Sequence, residues 1–178
     1  MRLNGKIAIV TGGGSGFGEG IVDTFVAEGA RVIVADRDGA AAERVAGKHG
    51  AAARPVTVDV AVDADVARMV AAATEGFGGL DVLVNNAGVG HVPQPLDGLD
   101  EATFDRLYAV NMKAIYLAAR HVVPLFKAAK AGTILNIAST GGVSPRPNLA
   151  WYNASKGWVI TATRAMAVEL APFGIRVN

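Results

Sequence analysis

The stretch Lys6-Ile7-Ala8-Ile9-Val10-Thr11-Gly12-Gly13-Gly14-Ser15-Gly16-Phe17-Gly18 joins a short apolar run to a glycine-rich turn. Lys6 to Thr11 is almost continuously apolar, which is how a strand buried on both faces reads. After the turn, Glu19 to Glu28 carries Ile21, Val22, Phe25 and Val26 on one helical stripe, and Gly29 stops it. Gly12, Gly16 and Gly18 are spaced G-x-x-x-G-x-G, and the commoner G-x-G-x-x-G fingerprint is not matched in any register. The physics of such a turn holds either way. Glycines let a pyrophosphate approach the backbone at a helix N-terminus, where free N–H groups and the helix dipole favour an anion. Ser15 adds a hydroxyl donor. An ordinary loop is the alternative, and the strand–turn–helix context argues against it.

Outward from this unit the same alternation repeats. Arg31 to Ala35 is a second strand ending at Asp36, followed by a helix over about Ala40–Lys48. Pro55 to Val58 is a third strand, closed by Asp59, and Asp63 is expected to cap a helix that runs to about Glu75. Leu80 to Val84 is a fourth strand, leading into Asn85-Asn86-Ala87-Gly88. Beyond a loop from Val89 to Leu99 lie two helical segments, about Glu101–Val110 and Asn111–Lys130, with a kink expected at Pro124. Thr133 to Ala138 is a fifth strand, a helix extends through Leu170, and Gly174 to Asn178 begins a sixth strand. Strict alternation with buried-type strands predicts an α/β fold, a doubly wound parallel sheet with helices on both faces, in a single domain over 1–178. Ligands of such sheets bind beyond the carboxyl ends of the strands, near the switch in strand order. Gly12–Gly18, Asp36, Asp59, Asn86–Gly88 and Ser139 all sit at such ends.

Composition narrows the function classes. The chain has 178 residues, 51% of them hydrophobic, enough for a sizeable core without staples. It has no cysteine, so neither disulfides nor thiolate metal sites are available. With 17 basic and 16 acidic residues the net charge is +1, and no basic run argues for nucleic acid or a membrane surface. No signal region or bilayer-length apolar stretch is seen, so a cytoplasmic location is expected. His49, His91 and His121 are scattered without metal-ligand spacing, and no metal is expected.

Two further patterns carry chemistry. In Tyr152-Asn153-Ala154-Ser155-Lys156 the phenol and the ammonium lie four residues apart, within about 40° of each other on one helix face. An ammonium beside a phenol favours the phenolate, which suits proton exchange with an alcohol or carbonyl. A core-edge Tyr beside a solvated Lys is the bland alternative. Asp36 lies 18 residues past Gly18, placed to accept hydrogen bonds from adenine ribose hydroxyls and to repel a 2′-phosphate. Arg37 beside it could bind that phosphate, so the expected cofactor is NAD, with NADP the alternative. Asn111 falls mid-helix, where Asn is not favoured, and Ser139 ends the fifth strand, where a hydroxyl can reach a substrate oxygen.

Together these residues resemble the short-chain dehydrogenase/reductase superfamily, over essentially the whole chain and in five motifs in order. Thr11 to Gly18, including Ser15 and Phe17, resembles the cofactor turn; Asp59-Val60 resembles the adenine-contacting pair; Asn85-Asn86-Ala87-Gly88 resembles the motif that lines the cofactor. Asn111, Ser139, Tyr152 and Lys156 fall where the family's catalytic tetrad falls. The resemblance implies a Rossmann-type fold and a hydride-transferring oxidoreductase acting on a small carbonyl or alcohol. It implies Tyr152 as the acid/base, Lys156 as its partner and a ribose ligand, Ser139 on the substrate oxygen, and Asn111 positioning a water. The texture is similar to 3-oxoacyl-acyl-carrier-protein reductases and to sugar or secondary-alcohol dehydrogenases. It also implies a homo-oligomer, dimer or tetramer, of the full-length form. Family members usually continue past Ile175-Arg176-Val177-Asn178 into substrate-covering helices and a last strand, so a C-terminally truncated chain is expected. A non-catalytic nucleotide-binding module and a structural oligomerisation subunit are the competing readings. The loops Val89–Leu99 and Ser144–Ala150 should line the substrate pocket, flanked by Trp151, with Arg146 available to an anionic substrate.

Overall fold

Strand β1 (Ile7–Thr11) is buried along all five residues, and the sheet is built outward from it. The structure is a computed structural model that describes residues Met1–Asn178. After β1 come α1 (Gly16–Ala27), β2 (Arg31–Asp36), α2 (Gly39–Gly47), β3 (Ala53–Thr57), α3 (Asp63–Phe77) and β4 (Val82–Asn85). They are followed by α4 (Glu101–Tyr108), α5 (Ala114–Ala129), β5 (Gly132–Asn136), α6 (Ala150–Leu170) and β6 (Ile175–Val177). All strand pairs are parallel, in the order β3-β2-β1-β4-β5-β6. The chain winds outward from β1 to β3, then crosses back to β4 on the other side of β1. That reversal opens a crevice above the carboxyl ends of β1 and β4.

Side-chain alternation makes two cores. Ile7, Ile9, Ile33, Leu83 and Ile134 face Met69 and Phe77 of α3 and Leu117 and Phe126 of α5. Ala8, Val10, Val32, Val34 and Val84 face Val22 of α1 and Val45 of α2. The doubly wound sheet expected from the sequence is therefore the one that forms. Pro55 is accommodated in β3 because this strand pairs only with β2, so an edge position absorbs the missing N–H.

Two local expectations are corrected. Asp63 does not cap α3. Val62 occupies the cap position without a side-chain bond, and Asp63 is the first helical residue. Its carboxylate instead meets His121 Nε2 at 3.0 Å and Arg120 at 3.7 Å, tying α3 to α5, while its charge still suits the helix N-terminus. The helices before and after Asn111 are not separate. A π-helical segment, Ala109–Lys113, joins α4 to α5, since no glycine or proline interrupts the chain there. Pro124 lies inside α5.

Candidate active site

The glycine turn is fixed by its neighbours. Thr11 Oγ1 accepts from the N–H groups of Asn86 (3.0 Å) and Ala87 (3.1 Å) and donates to Val84 O (3.3 Å). Asn86 Nδ2 returns two bonds, to Thr11 O at 2.9 Å and Gly12 O at 3.2 Å. The ends of β1 and β4 are thus sewn together beneath the crevice. Gly12 has φ +64° and Gly16 φ +55°, a region that side chains disfavour. Gly18 packs so closely that a Cβ there would stand 1.9 Å from Gly12 O. Ser15 precedes α1 in extended conformation and its hydroxyl caps nothing, so it is free to meet a ligand.

Above this floor lies a cavity of about 650 Å³, within the usual range for small-molecule sites. Its walls include every residue expected for the cofactor from the glycine turn, Asp36-Arg37, Asp59-Val60 and Asn86–Gly88. Asp36 Oδ2 accepts from Gly14 N–H (2.9 Å) and Oδ1 from Asp38 N–H (3.0 Å). Asp59 Oδ1 accepts from Ala61 N–H at 2.9 Å, holding the turn after β3, and Val60 packs on the core. Arg106, Ala109 and Val110 also line the cavity. Sequence reasoning missed them; the available signal was their place in the turn or so before Asn111.

Two of the four catalytic candidates, Lys156 and Asn111, meet beside Gly88. Lys156 is buried, 6% exposed, and its Nζ donates to Ile137 O at 2.8 Å. A Cβ on Gly88 would stand 3.3 Å from Lys156 Nζ and 3.4 Å from Asn111 Oδ1, so Gly88 lies between the two. Asn111, in the π segment, accepts from Val89 N–H (2.8 Å) and donates to Val89 O (2.9 Å) and Ser155 Oγ (3.0 Å). Ser155 Oγ–H donates to Tyr152 O at 2.7 Å. Gly90 lies against the Tyr152 ring: a Cβ there would be 4.0 Å from Cδ2. Ser139 Oγ accepts from Gly141 N–H at 3.1 Å, which leaves its own proton free to donate. Tyr152 and Lys156 are not walls of this cavity; Lys156 Nζ stands beside Gly88 at its edge, and Tyr152 beside Gly90.

α6 is seated by a buried polar chain. Asn85 Nδ2 donates to Asn136 Oδ1 (2.8 Å), Asn136 Nδ2 to Thr163 Oγ1 (2.9 Å), and Thr163 Oγ1 to Val159 O (2.7 Å). Each link satisfies a group that would be costly to bury alone.

The family model described as short chain dehydrogenase matches residues 6–178. The chain belongs to that family. It is 42% identical to 4-formylbenzenesulfonate dehydrogenase TsaC1/TsaC2 of Comamonas testosteroni, over the whole of this chain and 72% of that protein. It is 40% identical to galactitol 2-dehydrogenase of Agrobacterium fabrum, again over the whole chain and 70% of the relative. Among solved structures it is similar to a 3-ketoacyl-(acyl-carrier-protein) reductase from Brucella melitensis complexed with NADH. There the identity is 52% and the TM-score 0.97, with 98% of this chain and 74% of that one covered. An NAD+-bound xylitol dehydrogenase matches all of this chain and 70% of its own at 31% identity and TM-score 0.95. As a member of this family the chain is an oxidoreductase. No helix is long and apolar enough to cross a membrane.

For this family member the burial of Lys156 has a measurable consequence. Loss of solvent pushes its ammonium below the ordinary lysine value of 10.5. The folded state then holds fewer protons than the unfolded state between the lowered value and 10.5, so this group's contribution to stability rises with pH across that window. Lys156→Met removes the contribution. Wild type is expected to gain stability on the variant as pH climbs toward 10.5, read by denaturant unfolding at several pH values. Parallel curves would contradict the assignment.

A second hollow of about 730 Å³ takes Pro95 and Leu96 from one loop and Arg146, Asn148 and Asn153 from the other side. The two expected substrate loops therefore do meet, joined by Gln94 N–H to Asn148 O (2.9 Å) and Trp151 Nε1 to Leu96 O (3.0 Å). Tyr152 and Ser139 are not among its walls.

Proposed function

We propose that this protein moves a hydride between NAD(H) and a ketone or secondary alcohol, with Tyr152, Lys156, Ser139 and Asn111 as its working residues. The observation that carries the reading is the convergence of Lys156 and Asn111 on Gly88, at the inner end of a cavity whose floor is a glycine cradle. The donor set fits a dinucleotide. Gly12 and Gly18 leave no room for a Cβ beneath the cradle, Ser15 offers a hydroxyl, Asp36 a carboxylate for ribose, and Val60 an apolar surface for adenine. When bound, the nicotinamide supplies hydride exchange at C4.

The remaining chemistry belongs to side chains. Tyr152 gives a proton to the substrate oxygen in reduction and takes one in oxidation. Lys156 keeps one N–H on Ile137 O and has two more to offer toward a ribose and the phenol side. Ser139, anchored by Gly141, donates to the substrate oxygen. Asn111 has both amide N–H groups and its carbonyl engaged with Val89 and Ser155. These bonds fix the loop beside Tyr152, and the second lone pair of Asn111 Oδ1 remains to accept from a water on the path between Lys156 and solvent.

The similarity to the Brucella melitensis reductase favours a 3-oxoacyl thioester as substrate; the galactitol and xylitol dehydrogenases favour a sugar or polyol. NADH consumption with an acetoacetyl thioester and with a panel of ketoses separates the two. Dinucleotide binding seen by nicotinamide fluorescence, with no turnover on either panel, would leave only a binding module. The exposed rings of Tyr116 on α5 and Trp158 on α6 offer a surface for the homo-oligomer proposed for the full-length form, and a monomer in light scattering would contradict it.

Cofactor choice rests on Asp36. Asp36→Ala removes an acceptor for ribose, the anchor of Gly14 N–H and the repulsion of a 2′-phosphate. NAD is expected to bind about tenfold more weakly, while the NADP to NAD affinity ratio rises. An unchanged ratio would mean that Asp36 does not meet the ribose.

A further inference from the structure

The face of α1 turned toward α2 is acidic, with Glu19 and Asp23 one turn apart, and α2 with the residues after it answers with Arg44, Lys48 and His49. Arg44 and Glu19 form a fork, Nη1 to Oε1 at 2.9 Å and Nη2 to Oε2 at 2.9 Å, and Lys48 Nζ pairs with the same Oε1. Arg44 first, then Lys48, holds the Glu19 carboxyl down to about 2, so the fork stays charged through the working pH range. Exposed ion pairs of this kind contribute little by themselves. What distinguishes this one is where the guanidinium's other contact goes.

Arg44 Nη2 also donates to Gly14 O at 2.7 Å. Gly14 lies in the middle of the glycine turn, is buried, and its own N–H donates to Asp36 Oδ2 at 2.9 Å. Gly14 is therefore held through both its N–H and its C=O. The turn is also pressed against α2: a Cβ on Gly14 would stand 2.8 Å from Ala41 Cβ. Neither Arg44 nor Glu19 is a wall of the cofactor cavity.

We propose that Arg44 is a positioning residue for the dinucleotide: held in orientation by Glu19, it fixes the Gly14 carbonyl and so the cradle that receives the pyrophosphate. The Gly14 bond, not the ion pair, carries the effect. This rests on the NAD reading above, and the experiment separates the two.

Nicotinamide fluorescence titrations with NADH are made on wild type, Arg44→Met, Arg44→Lys and Glu19→Gln, beside thermal melts of each. Arg44→Met keeps the aliphatic stem and loses the contact to Gly14, so the Kd for NADH is expected to rise about tenfold. Turnover at saturating NADH should be nearly unchanged, because Arg44 touches neither the substrate nor Tyr152. Glu19→Gln removes charge from the fork but leaves Gly14 O its donor, so its Kd should rise much less even where its melt falls as far. Arg44→Lys retains one cation and should lie between. Arg44→Met binding NADH within about twofold of wild type would overturn the inference, as would Glu19→Gln weakening binding as much as Arg44→Met. If Arg44→Met does not fold, Arg44→Lys against Glu19→Gln decides by the same comparison. A wild type that binds no NADH would instead overturn the dinucleotide reading itself.

Discussion

Tyr152→Phe is expected to lower kcat by about a thousandfold, within the range that a positioned acid/base contributes, and to leave NADH affinity nearly intact. The change deletes one hydroxyl. The cofactor cavity has no wall from Tyr152, and the helix turn that carries it is held by Ser155 and Asn111 through the Tyr152 carbonyl, which the substitution keeps. The phenylalanine ring can still pack beside Gly90. The loss should therefore fall on the chemical step alone, seen as reduced single-turnover rates at saturating cofactor with unchanged fluorescence titrations. A variant that retains most of its turnover would remove Tyr152 from the acid/base role. A variant whose NADH affinity falls in step with its rate would give the phenol a binding role instead.

Gly18→Ala is expected to be the most damaging single methyl in the glycine turn. Its Cβ would stand 1.9 Å from Gly12 O and 2.7 Å from Asn86 Nδ2. The first of these is backbone and cannot swing aside. Asn86 Nδ2 is already committed to Thr11 O and Gly12 O, so moving it unpicks the stitch between β1 and β4. Overpacking of this kind costs about 1–3 kcal/mol or more, a large share of a net stability of about 5–15 kcal/mol. Relief by shifting Gly12 would lift the cradle floor and with it the dinucleotide site. The expected result is a lower melting temperature together with loss of NADH binding at concentrations that saturate wild type. Gly20→Ala on the exposed side of α1, where a Cβ meets nothing within 4 Å, is the control and should do neither. Wild-type melting and binding in Gly18→Ala would mean that the turn can relax in a way the close contact forbids.

The fold was legible because its signals are local. Buried parallel strands read as apolar runs, so β1, β2 and β4 stand out in the sequence, and glycine turns and helical stripes punctuate them. The cofactor candidates were legible for a related reason: each sits at a strand's carboxyl end, and a doubly wound sheet gathers those ends along one edge. Asp63 was misread because a cap depends on backbone angles and on which partner the carboxylate finds, and here His121 and Arg120, about sixty residues on, claim it. Asn111 stands out in the sequence as a polar residue inside a helix, and the structure buries it. That its segment is π-helical, and that its amide is spent on Val89 and Ser155, could not be read from neighbours in sequence.

The sequence by itself determined the strand–helix alternation, the glycine cradle, Asp36 at the end of β2 and the four-residue spacing of Tyr152 and Lys156, because each depends on residues near one another along the chain. Only the tertiary structure decided the rest. It brought Arg44 onto Gly14 O from 30 residues away and Asn111 onto Ser155 from 44, and it buried Lys156 against Ile137 O. It also set Arg106 into the cofactor cavity. Those contacts arise where helices cross strand ends at angles fixed by packing of the whole sheet, and a hydrogen bond between distant residues leaves no periodicity for a sequence to show.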